Sequence, residues 1–193
     1  MNRNKKILTI SAVIILMLSV LFFFTNKKNE NQFSINKNLN SLNLITHEGK
    51  VLKANKVISA PSIFFFGFLN CPDICPLTLT EISEIITKLG SDSKKINFFF
   101  VTVDPERDKV IEMSKYLNNF HNEIIGITGS LENMNKFLNS MHVYYKKIFI
   151  DKDFYTLDHS SQLFIFKKRG EFFGTISLDE SENIIFKKIK SLI

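Results

Sequence analysis

Apolar positions along the chain occur first as one long unbroken run and then as short runs with strand or helix periodicity. The long run is Ile7–Phe24 (ILTISAVIILMLSVLFFF), uncharged and interrupted only by Thr9, Ser11 and Ser19. As a helix it spans about 27 Å, close to the roughly 30 Å hydrocarbon core of a bilayer. It predicts one N-terminal transmembrane helix. Arg3, Lys5 and Lys6 precede it and Lys27 and Lys28 follow it, so the positive-inside rule favours an inside N-terminus and an outside C-terminal portion. A cleaved signal peptide calls for a shorter apolar stretch ending at a small-x-small site, which Phe22–Lys27 does not offer. The six residues ahead of the run are too few for an Arg-rich mitochondrial transit peptide. The expectation is a single-pass anchor in a bacterial inner membrane, with the rest of the chain in the periplasm.

Beyond a polar, Asn- and Lys-rich stretch at 25–40, the shorter runs begin. Leu42–Ile45 and Val51 onward, around Glu48-Gly49-Lys50, predict a hairpin. Ile63–Phe68 and Ile96–Val103 are continuously apolar, as in strands covered on both faces. Between them Pro76 opens a helical pattern carrying Leu77, Ile82, Ile85, Ile86 and Leu89 at helical spacing. Asp108 is placed to cap a helix through Phe120, and Ser130 one from Leu131 to Met141. An extended stretch, Val143–Ile150, follows. Gln162–Phe166 and Phe172–Ile176 flank Lys168-Arg169-Gly170 as a second hairpin. Asp179 is placed to cap a last helix containing Ile184, Ile185 and Ile189. Strand, helix, strand, helix, hairpin and helix imply an α/β fold with a parallel centre.

Composition removes several classes of function. Apolar residues make up 45% and charged residues 23%, which excludes wholesale disorder. The net charge of +6 sits at the N-terminus: residues 29–193 hold 20 basic and 19 acidic groups, so no nucleic acid partner is expected. Two cysteines cannot build a disulfide-dense scaffold or, alone, a four-cysteine zinc site.

Those two cysteines carry the chemistry. Phe66-Gly67-Phe68-Leu69-Asn70-Cys71-Pro72-Asp73-Ile74-Cys75-Pro76 lies at the carboxyl end of the first buried strand and just before a helix, where open α/β sheets hold ligands. A helix N-terminus favours thiolate, so both thiols are expected to have lowered pKa values. Thiolate serves either to ligate a soft metal or to attack a disulfide. Two thiolates with one further ligand suit Cu(I), which tolerates low coordination. An inert disulfide or a buried pair of small side chains is the plain alternative.

The same stretch resembles the signature of the Sco/SenC family, membrane-anchored thioredoxin-like copper proteins that help assemble the dinuclear copper centre of cytochrome c oxidase. Asp104-Pro105-Glu106-Arg107-Asp108, after the second strand, resembles the family's Asp-Pro-x-Arg-Asp block. Leu157-Asp158-His159-Ser160 resembles its Asp-His-Ser block. The resemblance implies copper held by Cys71, Cys75 and His159. Asp158 is placed either to orient the His159 ring or to bond elsewhere. The resemblance also implies a thioredoxin-like fold, a central mixed sheet flanked by helices, behind the transmembrane helix. The chain then reads as a cytoplasmic N-terminus (1–6), an anchor (7–24), a polar linker (25–40) and a copper-binding domain (41–193). Asp104–Asp108 reads equally as a strand end with a helix cap, or as a block for partner docking or for supporting the metal ligands from behind. Asp73, His47, His121 and His142 read as surface or packing residues.

Two functions follow from the resemblance. One is a copper metallochaperone that serves the copper-bearing oxidase subunit and is loaded by an upstream copper donor protein. The other is a thiol-disulfide reductase whose redox-active pair, Cys71 and Cys75, keeps that subunit's ligand cysteines reduced. All four prolines lie in the first 105 residues, so none precedes Gln162–Phe166, where thioredoxin-type oxidoreductases carry a substrate-gripping proline. Metal handling is therefore placed first. A peroxidase would need a Thr-x-x-Cys setting, and Thr stands at neither 68 nor 72.

Overall fold

The computed structural model describes residues 14–22, 42–152 and 154–193. The chain divides into two units, Met1–Phe33 and Ser34–Ile193. In the first, residues 14–22 form helix α1, with Ile14, Leu16, Leu18 and Phe22 all exposed. Among the described residues no helix is long and apolar enough to cross a membrane. The remainder of the predicted 7–24 anchor, the 1–6 tail and the 25–40 linker lie outside the described residues.

The second unit begins with the predicted hairpin, β1 (Asn43–Thr46) and β2 (Val51–Lys53), whose turn places Gly49 at φ +79°. A one-turn helix, α2 (Ala54–Val57), follows. Then come β3 (Ser62–Gly67), α3 (Ile74–Leu89), β4 (Asn97–Thr102), α4 (Val110–Leu117) and β5 (Ile124–Thr128). The chain continues through α5 (Leu131–Ser140), β6 (Tyr145–Phe149), β7 (Tyr155–His159), β8 (Leu163–Phe166), β9 (Phe172–Ile176) and α6 (Glu182–Lys190). Seven strands form one mixed sheet in the order β2-β1-β5-β4-β3-β8-β9, parallel only at β5-β4-β3. β6 and β7 pair with each other in a separate two-stranded ribbon. The expected α/β fold, a central mixed sheet flanked by helices, is what forms.

Strand alternation explains how the phenylalanine run is used. Ile63 and Phe65 face a core shared with Leu79, Ile82 and Ile86 of α3, Met113 and Leu117 of α4, and Ile185 and Ile189 of α6. Phe64 points the other way and stacks on Phe99 at 5.1 Å, meets Phe166 edge-on at 5.4 Å and touches Phe137 of α5 at 6.5 Å. Burial of each such ring is worth roughly 1.5–3 kcal/mol, so a strand with a ring on both faces is the natural centre of the sheet.

Several expectations are corrected. β5 was not predicted, because Gly126 interrupts its apolar pattern. A Cβ at Gly126 would lie 2.5 Å from Met113 Sδ and from Leu117 Cδ1, so the glycine is what allows α4 to press onto the sheet. α4 stops at Leu117, short of Phe120, and its cap position is Lys109. Asp108 does not cap it. Ser181, not Asp179, precedes α6 at the cap position. Ser130 does cap α5, its hydroxyl accepting from the Asn133 N–H.

Candidate metal centre

β3 ends at Gly67, beneath the start of α3. A Cβ there would fall 2.8 Å from Cys75 Sγ and 2.9 Å from Phe100 Cε2, so only glycine lets the strand pass this close to the thiol. The intervening loop carries half-buried Cys71, whose N–H donates to the Phe68 carbonyl at 3.3 Å. Cys75 lies in the first turn of α3 and is fully buried. Asp108, 1% exposed, ties down the same loop: its carboxylate accepts from the Leu69 N–H at 3.1 Å and from the Thr102 hydroxyl at 2.6 Å. The residue expected to cap a helix thus holds the cysteine loop against the end of β4.

His159 arrives from β7, 84 residues beyond Cys75, and its Nε2 lies 3.7 Å from Cys75 Sγ. Its Nδ1 is 3.0 Å from the Ser160 carbonyl. A carbonyl only accepts, so Nδ1 carries the proton and Nε2 keeps a lone pair toward the sulfur. The ring is held edge-on against Phe68 at 5.7 Å and against Phe65 at 6.4 Å. The ligand atoms of Cys71, Cys75 and His159 all lie within 4.8 Å of one another. Metal bonds of about 2.0–2.3 Å place trigonal donors about 3.5–4 Å apart, so the three residues fit a small ion with modest closure. Two soft sulfurs and one imidazole match the donor preference of Cu(I).

The expected lowering of the thiol pKa values does not hold at Cys75. Burial pushes this thiol well above its ordinary range, and the neighbouring Cys71 and Asp108 push the same way. Desolvation outweighs the helix terminus, so the metal-free thiol keeps its proton, which a bound cation has to displace. Tyr116 of α4 packs against the same cluster as Cys71 and Cys75. Burial raises its phenol, with Cys75, Cys71 and Asp108 contributing in that order. Its hydroxyl is buried without a hydrogen-bond partner. Sequence reasoning did not single out this tyrosine, because helical spacing places it among ordinary packing residues.

Asp104–Asp108 is a structural junction. Asp104, 1% exposed, accepts from the Arg107 guanidinium and, at 2.8 Å, from the Tyr155 hydroxyl. Arg107 Nη1 donates to the Tyr155 carbonyl at 3.0 Å, and the guanidinium lies 3.8 Å over the Tyr155 ring. The block therefore grips the ribbon that bears His159. Tyr155, Leu157 and His159 alternate along β7 and share one face, a period-two signal present in the sequence but not used there. The same alternation turns Asp158 to the other face. It is exposed, receives the Tyr144 hydroxyl at 3.5 Å, and among the described residues makes no bond to the His159 ring.

The other candidates stay outside the centre. Asp73 is exposed at the head of α3 and makes no cap bond. His47 Nδ1 accepts from the Gly126 N–H at 3.0 Å, and His121 Nδ1 from the Glu123 N–H at 3.2 Å. His142 occupies a turn at φ 51°. A cleft of about 600 Å³ lined by His47, Lys50, Lys94, Asn97 and Glu123 opens at the starts of β4 and β5, whereas the cysteines sit past the end of β3.

Comparison with known proteins agrees with this geometry. A family model described as SCO1/SenC matches residues 34–193. A SCO2-like protein of Rickettsia conorii is 34% identical over 140 residues, covering 72% of this chain and 68% of the relative. The solved structure of Bradyrhizobium japonicum ScoI with copper bound is 32% identical, with a TM-score of 0.73 over 79% of this chain and 97% of that one. Arabidopsis thaliana ScoI with copper bound is 30% identical, with a TM-score of 0.69 over 78% of this chain and 96% of that one.

Proposed function

The chain belongs to the SCO1/SenC family, and from that premise we propose that it is a copper metallochaperone for cytochrome c oxidase. One Cu(I) is held by Cys71, Cys75 and His159 and passed to the copper-bearing oxidase subunit after loading by an upstream donor protein. The observation that carries this reading is the convergence of two sulfurs and one imidazole nitrogen within 4.8 Å. The chemistry supplied by the protein is straightforward. Gly67 and Asp108 fix the cysteine loop, Ser160 sets the imidazole tautomer, and the buried thiol releases its proton as the cation arrives. We further propose that the 7–24 run anchors the chain in a bacterial inner membrane with the copper domain in the periplasm. The exposed apolar side chains of α1 support that role.

A titration of the full-length, detergent-solubilised chain with Cu(I) against a chromophoric competitor tests the site. One tight site per chain is expected, weakened roughly tenfold or more in His159→Ala. Equal affinity in the two proteins removes His159 from the ligand set, and no tight site in the native chain removes the copper reading.

A thiol-disulfide reductase is the second reading, favoured by one observation: Cys71 and Cys75 are both free thiols lying close together. In it the pair is oxidised to a disulfide while a disulfide of the oxidase copper subunit is reduced to two thiols. Incubation of the metal-free reduced chain with that oxidised subunit, followed by thiol counting on both proteins, decides it; no transfer of oxidising equivalents excludes it.

A further inference from the structure

The ribbon of β6 and β7 shares no ladder with the main sheet. Its attachments are side chains, and most converge on Asp104–Arg107, shortly after β4. Tyr155 donates its hydroxyl to buried Asp104 at 2.8 Å. Arg107 bonds the Tyr155 carbonyl at 3.0 Å, covers its ring at 3.8 Å and pairs with Asp104. Lys147 Nζ of β6 lies 4.5 Å from the centre of the same ring and pairs with Glu106. Elsewhere the ribbon buries Leu157, and the Tyr145 hydroxyl donates to Asn135 of α5 at 3.0 Å. The guanidinium of Arg107 also stands 6.0 Å from the Phe68 ring, which packs edge-on against His159. One stack thus links Tyr155, Arg107, Phe68 and the imidazole.

We propose that Asp104, Arg107 and Tyr155 form a lock that presents His159 to the cysteine pair. This deepens the copper reading and rests on it. Tyr155 and His159 lie on one face of the same strand, four residues apart, so fixing the phenol end fixes the imidazole end. With the lock broken, β7 loses its tie to the segment after β4 and keeps Leu157, its pairing with β6 and the packing of the His159 ring on Phe65 and Phe68, and the site falls back to two sulfurs. Tyr155 is a positioning residue that acts through His159 and need not touch the ion.

Removing Arg107 would strand the buried Asp104 carboxylate and endanger folding, so the test uses Tyr155→Leu, which leaves the Asp104–Arg107 pair intact, and Tyr155→Phe, which keeps the ring stack. Amide hydrogen exchange on the metal-free full chain reads the lock directly. In Tyr155→Leu, exchange in β6 and β7 is expected to rise about tenfold or more while β3, β4 and β5 stay protected. Tyr155→Phe is expected to recover part of that protection. In Cu(I) competition, Tyr155→Leu is expected to weaken binding toward the His159→Ala level, and the double variant to bind no more weakly than His159→Ala alone. Unchanged ribbon exchange, or additive losses in the double variant, overturns the lock. If native protein and His159→Ala bind copper equally, the ligand assignment fails, and the exchange data still decide whether Tyr155 holds the ribbon.

Discussion

Asp108 yields a prediction with a definite sign. Burial raises its carboxyl from the ordinary 3.8 to about 6, against the opposing hydrogen bonds from Thr102 and Leu69. Between those two pH values the folded chain holds a proton that the unfolded chain has already lost. Stability therefore falls as pH rises through this window and levels off above it. The interval is worth about 3 kcal/mol at its upper bound. In Asp108→Asn the group is neutral at every pH, and its amide oxygen can still accept from Leu69 and Thr102. The stability of the variant relative to the native chain is expected to rise by up to about 3 kcal/mol between pH 3.5 and pH 7. Urea unfolding of the reduced, metal-free proteins at several pH values measures this difference, and titrations common to both cancel. Parallel stability curves would refute the burial argument. A difference running the opposite way would show that the two hydrogen bonds outweigh desolvation.

Two further outcomes follow from the packing. Gly67→Ala places a methyl 2.8 Å from Cys75 Sγ, which is expected to cost about 1–3 kcal/mol in denaturant unfolding and to weaken Cu(I) binding; native behaviour in both assays would show that the strand end gives way freely. Tyr116→Phe removes a buried hydroxyl that has no partner, so stability should hold or rise by about 1 kcal/mol. A loss of that size instead would reveal that the hydroxyl is bonded in solution.

Much of this architecture was legible in the sequence because burial is recorded there as unbroken runs. Ile63–Phe68 and Ile96–Val103 could only be covered strands, and they became β3 and β4. β5 was hidden because its glycine serves α4, a partner that no local window contains. The cap assignments at Asp108 and Asp179 failed for a related reason. A carboxylate ahead of a helix is a local signal, but Asp108 is claimed by Leu69, 39 residues away. The cysteines were visible from their place at a strand end, whereas His159 was reached only through resemblance. Nothing near position 159 announces that a separate ribbon carries it to the sulfurs. The thiol pKa was misjudged because helix polarity is readable from sequence and depth of burial is not.

The placement of the tyrosines has a practical consequence. The chain has no tryptophan and four tyrosines, and its core rings are phenylalanines, which emit negligibly beside them. Tyr145 and Tyr155 lie on the ribbon, Tyr144 borders it, and Tyr116 packs with the thiols. Intrinsic emission from this protein therefore originates around the candidate site, so a fluorescence change on adding a ligand reports events there without any introduced dye.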